Sequence, residues 1–307
     1  MRKVITIGLI ALLVAAMLVT AGCLSTSIGA RDKIAVISLS GTITSAGGSF
    51  LFGSTITPSL VKEQLQKAQN DDAVKAVVLC IESPGGGVVA SQEITKEIEE
   101  FKQAKPVVIS MGTMAASGGY HISAKADKIV ALQGTQTGSI GVIAQIPNVE
   151  GLYEKLGIKM QTFKAGKYKD MYAGVRDLTP EEEEIMQNMI DEYYEQFVAV
   201  VAEGRGLSKE QVRSLATGQL YTGTEAEKLG LVDELGDLDT AIDLAAELAG
   251  VVSPEVEYYE PPKLSLRSLL GFADAMQLRL LGLGAQDIML LETLSHVYPE
   301  PQYLCLG

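Results

Sequence analysis

Ser117 lies in residues 111–120, MGTMAASGGY, among Ala115, Ala116, Gly118 and Gly119. An apolar strand, VVISM, leads into this stretch, and a helix-like segment running toward Asp127 follows it. Small neighbours allow a substrate backbone to come very close. A helix start offers unpaired N–H groups and partial positive charge. A nucleophilic serine facing an oxyanion site needs both. The same residues also suit a tightly packed helix start, with glycines present only for close approach. A second glycine-rich turn, ESPGGG at residues 82–87, ends another apolar run.

A reacting serine needs a base. The chain has two histidines, His121 and His296. His121 falls one turn beyond Ser117 on the same predicted helix, where an i, i+4 relation does not bring an imidazole in front of the hydroxyl. It is expected to be a partly buried packing residue. His296 sits in a weakly patterned tail, so a Ser–His–Asp triad is not expected. A lysine is the other option. Its pKa of about 10.4 must fall to roughly 7–8 to accept a proton near neutrality, and burial among apolar groups does this. The tract KAGKYKD offers Lys164, Lys167 and Lys169. Residue physics alone leaves the choice among the three open, and ordinary exposed lysines remain an alternative for each.

These groups need a scaffold that brings two glycine turns together. Residues 34–43, 73–81 and 107–111 read as apolar, β-branched strands, and residues 58–69 and 88–103 as helices between them. That alternation predicts an α/β fold with parallel strands and right-handed crossovers. Sites in such sheets lie at the carboxyl ends of strands, where both glycine turns fall. Residues 128–132 read as a further strand. Residues 135–145, TQTGSIGVIAQ, read as a glycine turn feeding an apolar strand, and 150–156 as a short helix. A long helix is expected over 179–206. Thr179 can cap it, Pro180 fits its first turn, and Glu181–Glu184 suit its positive end. Helix, strand and helix then follow to about Gly250.

The 307 residues carry a formal net charge of −13 with no basic cluster, so nucleic acid is not an expected partner. Cys23, Cys80 and Cys305 have no metal-ligand spacing, and neither a metal nor a cofactor is expected. Arg2 and Lys3 precede an uncharged apolar run over 4–22. It has about the length of a membrane span and also the pattern of a secretory signal. The end of that run, LVTAGC, resembles a lipoprotein signal acylated at Cys23, although Thr20 stands where a larger aliphatic residue is usual. The expected organisation is a signal or anchor at 1–23, a linker at 24–33, the main domain at 34–250 and a helical C-terminal extension at 251–307. The catalytic domain is expected on the extracytoplasmic side of the cell membrane.

The set SPGGG, SMGTMAASGGY, TGSIGV and AGKYKD, in this order and spacing, resembles the signal peptide peptidase A family. That resemblance implies a membrane-bound serine protease with a Ser–Lys dyad on a Clp protease/crotonase-like spiral of β-β-α units. It places the nucleophile at Ser117 and the general base at Lys169, in a Gly-x-x-Lys-Asp pattern followed by Asp170. It places a lysine-orienting hydroxyl at Ser139 and an oxyanion N–H at Gly85. Gly118 is the expected second donor on geometric grounds. The implied substrates are residual signal peptides and other hydrophobic peptides. The chain carries one copy of the domain. Its resemblance to the short members of the family implies a homo-oligomeric ring in which serine and lysine can come from neighbouring protomers. Trimming of a stomatin-like protein's hydrophobic tail is the alternative protease reading. A crotonase-type acyl-CoA enzyme and an assembly scaffold with a dead site are further alternatives.

Overall fold

Three consecutive apolar runs dominate the structure, because each is buried on both faces. The computed structural model describes residues 31–45 and 54–259. The runs are β1 (Lys33–Ser40), β4 (Val74–Ser83) and β5 (Val107–Ala116). Between them come two-residue strands β2 (Thr42–Ile43) and β3 (Thr55–Ile56), then helices α1 (Pro58–Asn70) and α2 (Val88–Lys102). β6 (Lys128–Ala131), β7 (Gln136–Gly138), β8 (Leu220–Thr222), β9 (Glu234–Leu235) and β10 (Glu255–Tyr259) complete the strands among the described residues. The main sheet runs β10-β1-β4-β5-β6-β9, all parallel. β7 joins the far end of β5, and β8 pairs antiparallel with β7.

Side-chain alternation along the strands divides the core in two. Ile37, Leu39, Leu79, Ile81 and Ile109 face α1 and α2, whose Leu65, Ile94 and Ile98 are fully or almost fully buried. Val36, Val78, Cys80, Val108 and Val130 face α8 (Leu238–Ala249) on the other side. Asp237 caps α8 by accepting from Thr240 N–H, and Gly250 ends it in the left-handed conformation. The expected parallel α/β architecture is therefore present.

Helix α5 (Pro180–Arg205) starts as its residues indicate. Thr179 and Glu182 form a reciprocal capping box, Pro180 sits in the first turn, and Gly206 closes the far end with φ 65°. Phe197, Val198 and Val201 pack its second half into the core. α6 (Lys209–Leu215) and α7 (Gly223–Lys228) follow, each with its own capping box.

Three stretches differ from expectation. The helix after Ser117, α3 (Gly118–Ser123), is one and a half turns long and stops before Asp127. Residues 139–149, expected to contain an apolar strand, form neither helix nor strand. Backbone bonds to residues 218 and 219 stop at Ile140, and among the described residues no strand pairs with the rest of the segment; Ile143 is 74% exposed. The sheet also continues past Gly250, since β10 lies within the stretch set aside as a C-terminal extension. The apolar run at 4–22, residues 46–53, most of that extension, Cys23, Cys305 and His296 lie outside the described residues. Among the described residues, no helix is long and apolar enough to cross a membrane.

Candidate active site

β5 delivers Ser117 to the junction with α3. The residue has φ 52° and ψ −118°, a backbone conformation that L side chains rarely adopt. Such a conformation costs about 1–3 kcal/mol and persists only where its surroundings enforce it. Here β7 does so: Met114, Ala115 and Ala116 pair with residues 136–138, and Ser117 N–H donates to Gly138 O at 2.8 Å. On the other side, Ser117 O accepts from His121 N–H at 2.8 Å. The Oγ does not cap α3, and the residue is partly exposed. A sharp strand-to-helix turn thus presents a hydroxyl that has no hydrogen-bond partner among the described residues.

The glycine turn after β4 lies directly against this junction. A Cβ at Gly85 would stand 2.8 Å from Ser117 Cβ and 2.6 Å from Gly118 N. The N–H expected to serve as an oxyanion donor, that of Gly85, donates to Ser83 Oγ at 3.1 Å. The next residue offers another. Ile43 bridges the turn by donating to Gly85 O and accepting from Gly87 N–H. In a parallel bridge of this kind the Gly86 N–H points to the opposite side. That side holds Gly118, where an added Cβ would lie 3.1 Å from Gly86 N. Gly118 N–H, at the first position of α3, has no intrahelical acceptor. Two backbone donors, Gly86 and Gly118, therefore flank Ser117. Gly86 belongs to the recognised glycine run. Which N–H is left over depends on the pairing with Ile43, some forty residues away, which local pattern does not reveal.

Ser139 stands close by, also at positive φ (48°). Its N–H donates to Gln219 O at 2.8 Å and its Oγ to Gly218 O at 3.3 Å. Ser117 and Ser139 line one cavity of about 370 Å³, with Val142, Ile143, Tyr194 and Thr217 among its other walls. A hydroxyl, backbone donors and a hollow of mixed polar and apolar lining thus adjoin.

The three lysines are elsewhere. They lie on the segment between α4 (Glu150–Lys155) and α5, and all three are exposed. Lys164 Nζ pairs with Asp170 at 2.6 Å and also donates to Lys167 O. Lys167 pairs with Glu181. Among the described residues no carboxylate holds Lys169. Asp170 is anchored by Arg176 as well, whose guanidinium also grips the buried Glu182. These cations hold the Asp170 carboxyl far below the usual range, and Arg176 holds that of Glu182 down to about 2. Lys169 does not line the Ser117 cavity within this one chain.

His121 is a buried packing residue, as its position suggested. Its Nδ1 shares a hydrogen bond with Thr95 Oγ1 at 2.8 Å, and its ring meets Phe197 at 5.0 Å. Burial and then nearby Lys125 lower its pKa to about 4. Among the described residues, no group of three or more His, Cys, Asp or Glu is placed to hold a metal ion.

With this geometry in view, comparison with known proteins is specific. Residues 99–252 match the model of Peptidase family S49, and residues 52–137 match that of Clp protease. A provisionally named protease of Synechocystis is 41% identical over 259 residues, covering 84% of this chain and 90% of that protein. A similarly named protein of Methanocaldococcus jannaschii is 45% identical over 195 residues, covering 64% of this chain and 63% of its own length. A provisionally named signal peptide peptidase SppA of Enterococcus faecium is 42% identical over 215 residues, covering 69% and 62%. The chain thus spans just under two thirds of two of these relatives and most of the third.

Proposed function

Because the chain belongs to peptidase family S49, with an α/β fold of the Clp protease kind, we propose that it is a membrane-anchored serine endopeptidase acting through a Ser117–Lys169 dyad. The observation that carries this reading is Ser117 itself, held at φ 52° between two backbone donors beside a cavity. Attack by its Oγ on a peptide carbonyl forms a tetrahedral oxyanion. The N–H groups of Gly86 and Gly118 would stabilise that charge, each to about 3 kcal/mol. Gly85 would supply the space. Neutral Lys169 would take the serine proton and return it to the leaving amine, with Ser139 orienting the lysine.

Within one chain Lys169 stands outside the cavity, so the complete site would draw it from a neighbouring copy. The exposed apolar side chains of residues 143–163 support a ring assembly. Ile143 stands beside the cavity, and Phe163 is 93% exposed. The apolar run at 4–22, flanked by Arg2 and Lys3, supports anchoring with Ser117 outside the cytoplasm. The substrates would be residual signal peptides and similar apolar segments, bound in extended form along the glycine turn.

The test is a fluorophosphonate probe followed by peptide mass mapping, together with cleavage of signal-like peptides by the full chain. Label at Ser117 and cutting of apolar peptides, with folded domains spared, is the expected result. Label elsewhere would refute the nucleophile, and equal cutting of folded domains would refute the substrate class.

A further inference from the structure

β4 and β5 pair regularly until Ile81 meets Met111, and the next paired residues are Ser83 and Ala115. One residue of β4, Glu82, therefore faces three of β5, Gly112, Thr113 and Met114. Such a bulge bends its strand and strips backbone donors of their ladder partners. The Glu82 side chain fills that gap. Its Oε2 accepts from Thr113 N–H at 2.6 Å and its Oε1 from Met114 N–H at 3.1 Å. Thr135 Oγ1 donates to Gly112 O at 2.8 Å from the other side. Gly112 is needed for this arrangement, because an added Cβ would run into the Glu82 carboxylate. Across the bulge β5 keeps β4 on one side and exchanges β6 for β7 on the other, and three residues after Met114 comes Ser117.

We propose that Glu82 is a positioning residue whose carboxylate splints the β5 bulge and so aims Ser117 at the oxyanion donors. A carboxylate suits this post because both oxygens accept, matching two adjacent N–H donors. A glutamine matches only one, since its NH2 would confront the other donor. The proposal rests on Ser117 being the nucleophile. It adds that the aim of that residue depends on a side chain that does not touch substrate.

The test measures fluorophosphonate labelling of Ser117 and steady-state kinetics on an apolar peptide, using the full chain. Glu82→Ala should slow labelling and kcat about 10- to 100-fold, the scale of an ångström-level misplacement, with KM within about twofold. Glu82→Gln should fall between it and wild type. Gly112→Ala, which displaces the carboxylate, should reproduce the loss, and should add less than about twofold in the Glu82→Ala background. Hydrogen exchange at the Thr113 and Met114 amides should quicken in each variant. If Glu82→Ala fails to fold, Glu82→Gln and Gly112→Ala carry the test. Variants that label as fast as wild type, or losses that multiply independently, would overturn the role of Glu82 alone. Wild-type protein labelled anywhere but Ser117 would overturn the nucleophile, and this proposal with it.

Discussion

Gly85 and Ser117 touch across the junction of two parallel strands so closely that a single methyl group cannot be inserted between them. A Cβ on Gly85 would meet Ser117 Cβ at 2.8 Å, Gly118 N at 2.6 Å and Ala116 O at 2.9 Å, at a φ of 102° that also disfavours a side chain. Gly85→Ala is therefore expected to abolish activity and to lower stability by about 1–3 kcal/mol. Gly134→Ala, where an added Cβ meets nothing within 4 Å, serves as the neutral control. Denaturant unfolding and fluorophosphonate labelling of both variants check this.

Substitutions in the proposed dyad should fall in a fixed order. Ser117→Ala should lose roughly 10³-fold or more in kcat, and Lys169→Ala about 10²- to 10⁴-fold. Ser139→Ala, which removes one orienting hydrogen bond, should lose about 3- to 10-fold. Lys167→Ala, which breaks an exposed ion pair with Glu181 and a contact with the Tyr168 ring, should retain most activity. Lys164→Ala should also retain most activity. Full activity in Lys169→Ala would remove the dyad.

Shared sites can be read by mixing. Co-assembled Ser117→Ala and Lys169→Ala chains should regain part of the activity that each lacks alone. Phe163→Glu should shift the assembly to smaller species in analytical ultracentrifugation, since a charge on that ring would have to be buried in any contact made there. Assembly identical to wild type would place the interface elsewhere.

Acid should weaken the fold through His121. Its folded pKa of about 4 lies below the ordinary value of 6.5, so the unfolded chain takes up a proton first as pH falls. Stability from this group is complete above pH 6.5 and is lost progressively down to about pH 4, by on the order of 3 kcal/mol. His121→Gln should flatten that part of the stability profile and cost little activity at neutral pH. A profile unchanged by the substitution would contradict the buried neutral imidazole.

What could be read from the residues, and what could not, follows the range of the interactions involved. The strand VKAVVLCIES is unbroken apolar over residues 76–81 because both faces are covered there, and that pattern is local. The start of α5 is equally local, since Thr179 and Glu182 are three residues apart. The junction at Ser117 was visible as small residues after a strand. The pairing that ties Gly85 N–H to Ser83 Oγ and turns Gly86 N–H toward Gly118 was not, because it depends on Ile43. Nor was the Glu82 splint, which depends on how β4 and β5 fall out of step. Residues 139–149 show the converse limit. Their apolar composition signals a strand, but composition does not specify a partner, and among the described residues no strand pairs with 141–149.

β10 decides where this protein can be shortened. It is the outer neighbour of β1, aligned from Lys33 against Glu255 to Ile37 against Tyr259. Glu257 ties the two strands through Lys33 at 2.9 Å. A chain truncated at Gly250 would bare the apolar run KIAVISLS along a free edge, with its N–H and C=O groups open to a second such edge. A chain truncated after Tyr259 would keep β10, whose acidic residues discourage that contact. The nine residues beyond Gly250 therefore separate a fragment prone to self-association from one that stays dispersed.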